Sequence, residues 1–298
     1  MRLTWFGVGL ILSVARPAAA TYSIAAADTA TREVGGAGTS CLDGSDVYII
    51  YGSVPGYAVI HAQAAVNFDT RDHAIELLEM GMAPQAVIDA ITSPAFDRGS
   101  VERQFGIADV TGRTVGFTGP DAQDYAADRQ GQVGTFSYTV QGNILTSAAV
   151  LTQAAGAFEA SGCDLADRLM LALEAGADNG EGDNRCTDGG IPSDSAYVQV
   201  DRAGEPAGAH LALRVPTSGN ANPLLALRAD YDAWRATHPC PEPPDSGNSA
   251  GGPAEPATRE EAGCTCRAVP ERSASWPLAL LLWLAAAARL RAGRARSW

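Results

Sequence analysis

The chain contains no lysine. Any cation that a site needs must therefore be an arginine, which stays protonated and cannot act as a base near neutral pH. Histidine is scarce as well. His61, His73, His210 and His238 are the four, with no two at metal-pair spacing, so no zinc site is expected and neither metal nor cofactor is assigned. No apolar run reaches the ~20 residues that span a bilayer. Positive charge is thin outside the ends of the chain: formal charge is −13 overall, but residues 21–266 hold 13 Arg against 33 acids. Such a surface repels phosphate backbones and anionic headgroups, which excludes nucleic acid as a partner.

What the sequence does have begins at its N-terminus. Met1-Arg2 precedes a twelve-residue apolar run, residues 3–14, which Arg16-Pro17 breaks before the A-x-A pattern of Ala18 and Ala20. Twelve residues of helix reach ~18 Å against a hydrocarbon core of roughly 30 Å, so residues 1–20 read as a secretory signal and not as a permanent span. Cleavage after Ala20 by a signal peptidase makes Thr21 the first residue of the mature chain. A hydroxyl nucleophile then carries its own base, the α-amine, whose pKa is ordinarily about 8. Export also puts the cysteines in an oxidising setting. Cys41, Cys163, Cys186 and Cys240 can form two disulfides, in any of three pairings.

Residues 22–27 and 34–41 read as opening strands, the second rich in glycine. Further strands are expected at 47–51, 57–63, 105–110, 113–117, 136–142, 196–200 and 209–215. Helices are expected at 71–80, capped by Asp69 or Thr70, and at 84–91, 147–160, 164–175 and 223–237. Residues 119–134 and 176–194 read as loops, the second strongly acidic. Strands in antiparallel hairpins and helices in pairs make an α+β body, most simply two sheets packed face to face and covered by helices. Past this domain, residues 21–238, lies a Pro/Gly/Ser/Glu linker at 239–262. Residues 263–298 then give Gly263-Cys264-Thr265-Cys266, thirteen apolar residues (276–288) and an arginine-rich end. Thirteen residues of helix, ~20 Å, fall short of a bilayer. This reads as a processed sorting signal, or else as an ordinary short membrane anchor.

Two resemblances follow from particular residues. Thr21-Tyr22-Ser23-Ile24-Ala25-Ala26-Ala27-Asp28 is similar to the T-[FY]-S-I-V-A-x-D start of a bacterial family of unknown function. The blocks Ala62-Gln63-Ala64-Ala65-Val66-Asn67 and Val140-Gln141-Gly142-Asn143-Ile144-Leu145 resemble that family too, as does the pairing of Gly182-Asp183 with Ser195-Ala196. The family is placed in the N-terminal-nucleophile (Ntn) hydrolase-like superfamily, which implies a four-layer αββα sandwich of two mainly antiparallel sheets. The tail is similar to a myxobacterial-type C-terminal sorting signal. That likeness implies processing by a sorting protease near Cys264 and Cys266, membrane association through the tail beforehand, and display at the cell surface or outer membrane.

The implied chemistry is hydrolysis of an amide-type bond in a small amide or peptide, with Thr21 as nucleophile and its α-amine as base. Backbone N–H groups from the glycine-rich strand at 35–38 or from Gly142 and Asn143 would form an oxyanion hole, worth ~3–4 kcal/mol per donor. Ser23, Asp28 and Ser40 are expected to line the same cleft. Gln63, Asn67, Gln141, Asn143 and Asp183 are candidates for substrate binding, although buried amides equally serve structure. His61 reads equally as a core histidine. Proteasome-like relatives tune the amine with a lysine; here only Arg32 or Arg185 could supply a field. The acidic loop departs from the calcium-hand pattern, with Gly at the third and fifth positions from Asp178. Ser195 lacks a G-x-S-x-G setting. The competing expectation is a catalytically silent, surface-displayed binding or structural module of the same fold.

Overall fold

The computed structural model describes residues 20–241, apart from 43, 218 and 220. Strand β1 (Thr21–Asp28) is buried along its whole length. Successive side chains of a strand point to opposite faces, so β1 belongs to two cores at once. Tyr22, Ile24 and Ala26 join one apolar cluster, and Ala25 and Ala27 join another on the reverse side.

Around β1 lies a six-stranded sheet in the order β10-β9-β2-β1-β8-β7. Its strands are β2 (Val34–Ser40), β7 (Ala127–Val133), β8 (Phe136–Asn143), β9 (Ser195–Asp201) and β10 (Leu211–Val215). A second sheet has the order β3-β4-β5-β6, from β3 (Tyr51–Val54), β4 (Ala58–Ala64), β5 (Arg103–Asp109) and β6 (Thr114–Thr118). Every pairing is antiparallel. Helices α3 (Ala149–Ala160), α4 (Leu165–Ala175) and α6 (Pro223–Arg235) cover the outer face of the larger sheet through Leu151, Phe158, Leu169 and Tyr231. Helices α1 (Phe68–Glu79) and α2 (Pro84–Ile91) cover the smaller one through Leu78, Val87 and Ile91. Between the sheets lie Ile50, Tyr51, Val59, Ala108 and Tyr197. The body is thus an α+β sandwich of two antiparallel sheets, as the grouping of strands into hairpins and helices into pairs implies.

Local departures have local causes. Residues 47–50 form a 3-10 turn and not a strand, because Asp46 accepts from Tyr48 N at 2.9 Å and caps it; β3 begins only at Tyr51. Strand β7 falls inside the stretch expected to be loop. It is an edge strand with mostly half-buried or exposed side chains, so its sequence, ADRQGQV, carries no apolar alternation. The acidic loop contains a short helix, α5 (Asn184–Thr187), capped by Asp183.

Two disulfides choose among the three pairings: Cys41–Cys186 and Cys163–Cys240. The second ties the chain to the body at residue 240, two past the expected boundary. Such bonds point to a compartment outside the reducing cytoplasm. Among the described residues no helix is long and apolar enough to cross a membrane. Residues 1–19 of the expected signal, most of the linker and the tail, with Cys264 and Cys266, lie outside the described residues.

Candidate functional site

The ladder registers bring four polar residues into one row at one end of the larger sheet. Thr21 on β1 pairs with Ser40 on β2 and with Asn143 on β8, and Ser40 pairs with Ser195 on β9. Directly paired residues share a face. Thr21 has the parity of Ala25 and Ala27, so the row looks toward the smaller sheet. All four side chains are buried.

Thr21 Oγ1 lies 3.0 Å from Ser40 Oγ. Ser40 in turn donates its hydroxyl proton to the carbonyl of Ala20. A hydroxyl has one proton to give, so Thr21 is the donor of the first bond, and its proton points at Ser40. Arg185 Nη2 donates to the same Ala20 carbonyl at 3.1 Å. The oxygen immediately ahead of Thr21 therefore sits between a hydroxyl and a guanidinium.

Arg185 is placed by a braced strap. Gly182 adopts φ +146°, a conformation closed to side chains, and a Cβ there would lie 2.6 Å from Pro192 O. Next to it Asp183, fully buried, accepts from Cys41 N at 2.7 Å and from Arg185 at 3.0 Å. The disulfide from Cys41 to Cys186 locks the strap to the end of β2. Asp183, expected to bind substrate, instead has its carboxylate engaged by Cys41 N and by Arg185, which it holds.

Behind the row, buried side chains join the two sheets. Gln63 Nε2 on β4 donates to Thr21 O at 3.2 Å and to Gln104 Oε1 at 2.8 Å, while Ser23 Oγ donates to Gln63 Oε1 at 2.5 Å. Gln104 on β5 reaches Gly142 O at 2.9 Å. Gln141 Nε2 donates to Ser23 Oγ at 2.6 Å and contacts His61 Nδ1 at 3.2 Å, and His61 Nε2 meets Tyr197 OH at 2.7 Å. Burial pushes the His61 pKa down to about 3, so the ring is neutral at any physiological pH. The same burial pushes Tyr197 well up. His61 and Gln141 are therefore core groups. Gln63 positions Thr21 through its main chain and has no amide proton left for a ligand.

Several expected site residues fall elsewhere. Asp28 closes the far end of β1, accepting from Ala30 N at 3.0 Å and Thr31 Oγ1 at 2.8 Å. Seven rises along the strand, ~23 Å, part it from Thr21. Arg32 lies beside it, bonded to Gly56 O at 2.6 Å. Asn67 is the N-cap of α1, accepting from Asp69 N at 3.1 Å, and it displaces the expected caps Asp69 and Thr70. The glycines of β2 supply no oxyanion hole, since β2 is an interior strand laddered on both sides. Gly36 instead leaves room for the His61 ring, onto which a Cβ would be driven. Gly142 is laddered likewise between β1 and β7, whereas Asn143 stays in the row beside Thr21. Gln104 was not singled out by the sequence, although a polar residue opening the apolar run of β5 is a readable signal. Among the described residues no group of three or more His, Cys, Asp or Glu side chains could hold a metal.

The model of DUF1028, described as a family of unknown function, matches residues 21–233, beginning on Thr21. Among solved structures, the crystal structure of protein SPO2555 from Silicibacter pomeroyi, which carries the same family model, is similar at a TM-score of 0.59 and 26% identity. That alignment covers 72% of this chain and 89% of that one. No curated protein matches the chain.

Proposed function

The chain belongs to DUF1028, a family of unknown function, and we propose that it is an exported N-terminal-nucleophile hydrolase acting on an amide-type bond. Removal of residues 1–20 leaves Thr21 with a free α-amine in a buried setting. Burial disfavours the ammonium form, so the amine is a base at neutral pH without help from a lysine. It takes the Oγ1 proton as Oγ1 attacks the acyl carbon. Negative charge on the acyl oxygen is met by Arg185 and the Ser40 hydroxyl, in place of backbone donors. The C–N bond then breaks, the leaving amine departs with the proton, and water hydrolyses the Thr21 ester.

One observation carries this reading: Thr21 opens a middle strand with its hydroxyl on Ser40, and the carbonyl ahead of it is held by Ser40 and Arg185. The two-sheet sandwich with outer helices fits the Ntn-hydrolase-like αββα arrangement. Export by signal peptidase, release or anchoring by a sorting protease at Cys264–Cys266, and surface display complete the proposal. A silent module of the same fold has its own support, since both Ala20 and Thr21 are fully buried. Treating the secreted chain and its Thr21→Ala variant with a hydroxyl-directed β-lactone separates the two. An adduct on the N-terminal peptide of the wild type alone supports the enzyme; equal labelling of both chains supports the silent module.

A further inference from the structure

The position of Ala20 says something about substrate, granted the hydrolase reading on which this rests. Its carbonyl oxygen occupies a seat with two donors, Ser40 Oγ from β2 and Arg185 Nη2 from α5. Its side chain is a single methyl, and the residue has no exposed surface. Once the bond to Thr21 is cut, that seat and the space around the methyl are vacated together. Thr21 Oγ1 and the Ala20 carbonyl oxygen share one neighbour, the Ser40 hydroxyl. Ser40 Oγ already stands 3.0 Å from Oγ1, so the same donors can meet an acyl oxygen at either atom.

We infer that the vacated space is the acyl subsite, and that it admits small acyl groups, acetyl- or alanyl-sized, and rejects bulky ones. The enclosing parts are poorly able to yield. Asp183, which holds Arg185, is itself held by Cys41 N, and the Cys41–Cys186 disulfide closes the strap onto β2. Gly182 has Pro192 against it on the other side. A phenyl or branched group at this position would have to displace a braced segment and not a loose loop.

Activated esters test this without assuming any leaving group, because p-nitrophenolate needs no recognition. Oγ1 bonds to the acyl carbon, the acyl–O bond to p-nitrophenolate breaks, and the Oγ1 proton passes to the α-amine. The secreted chain beginning at Thr21 is treated with p-nitrophenyl acetate and p-nitrophenyl phenylacetate. Acyl mass on its N-terminal peptide is followed in time, whether it rests on Oγ1 or has shifted to the amine. The acetyl group is expected to go on at least about tenfold faster, the discrimination that pocket size alone can give. Arg185→Met and Ser40→Ala, checked for native disulfides and circular dichroism, are each expected to slow acetylation by about tenfold. Phenylacetylation as fast as acetylation overturns the inference, and so does Arg185→Met reacting at the wild-type rate. If Thr21 takes the β-lactone but shows no preference between esters, the subsite is refuted and the hydrolase stands. If it takes neither reagent, both are refuted.

Discussion

Thr21 and Ser40 face each other across the β1–β2 ladder with their hydroxyl oxygens 3.0 Å apart. Ser40 is committed as a donor to the Ala20 carbonyl, so it must accept from Thr21. Loss of Ala20 on cleavage frees that hydroxyl proton for the acyl oxygen. Ser40→Ala is expected to reduce β-lactone labelling of Thr21 by about tenfold. The melting temperature should shift little, since one buried hydroxyl bond is worth about 1 kcal/mol. Labelling at the wild-type rate would remove Ser40 from the site.

The two disulfides should differ in their effect on the site. Either double Cys→Ser variant is expected to lose about 2–5 kcal/mol of stability, read from denaturant unfolding. Only Cys41→Ser with Cys186→Ser frees the strap that carries Asp183 and Arg185. Labelling of Thr21 should fall in that variant and persist when Cys163 and Cys240 are replaced.

Two glycines make a matched pair of opposite sign. A Cβ on Gly36 would be driven into His61 between the sheets, so Gly36→Ala is expected to destabilise by about 2–3 kcal/mol. Gly156, in the interior of α3, has nothing within 4 Å of such a Cβ. Gly156→Ala should stabilise by about 0.5–1 kcal/mol, because a helix interior favours alanine. Urea midpoints measure both.

His61 sets a pH dependence. Its folded pKa, about 3, lies below the unfolded value of 6.5, so below pH 6.5 the unfolded chain binds the extra proton. Stability is therefore full above about pH 6.5 and declines as pH falls from there toward 3, by about 2 kcal/mol at pH 5. His61→Gln should flatten this limb of a stability–pH profile. An unchanged slope would mean that other groups dominate it.

The layout of most strands and the paired helices were legible because apolar alternation and turn residues report burial. Strand β7 was not, because an edge strand with exposed side chains is polar throughout. Thr21, Ser40 and Asn143 could be assembled from the sequence, but Asp28 could not be excluded. Period-two alternation gives a residue's face, whereas which end of the strand it occupies relative to the site depends on the fold. Arg185 could be suspected only as a source of field. Its contact with Ala20 depends on the Gly182 turn and on the Cys41–Cys186 bond, neither of which spacing alone specifies.

The central claim is that Thr21 is both first residue and nucleophile. It is tested most directly by mapping a β-lactone adduct on the exported chain while sequencing its N-terminus. The account predicts a sequence starting Thr-Tyr-Ser-Ile and an adduct confined to that peptide, absent from Thr21→Ala. A mature chain that keeps a residue ahead of Thr21, or an adduct that survives Thr21→Ala, would contradict it.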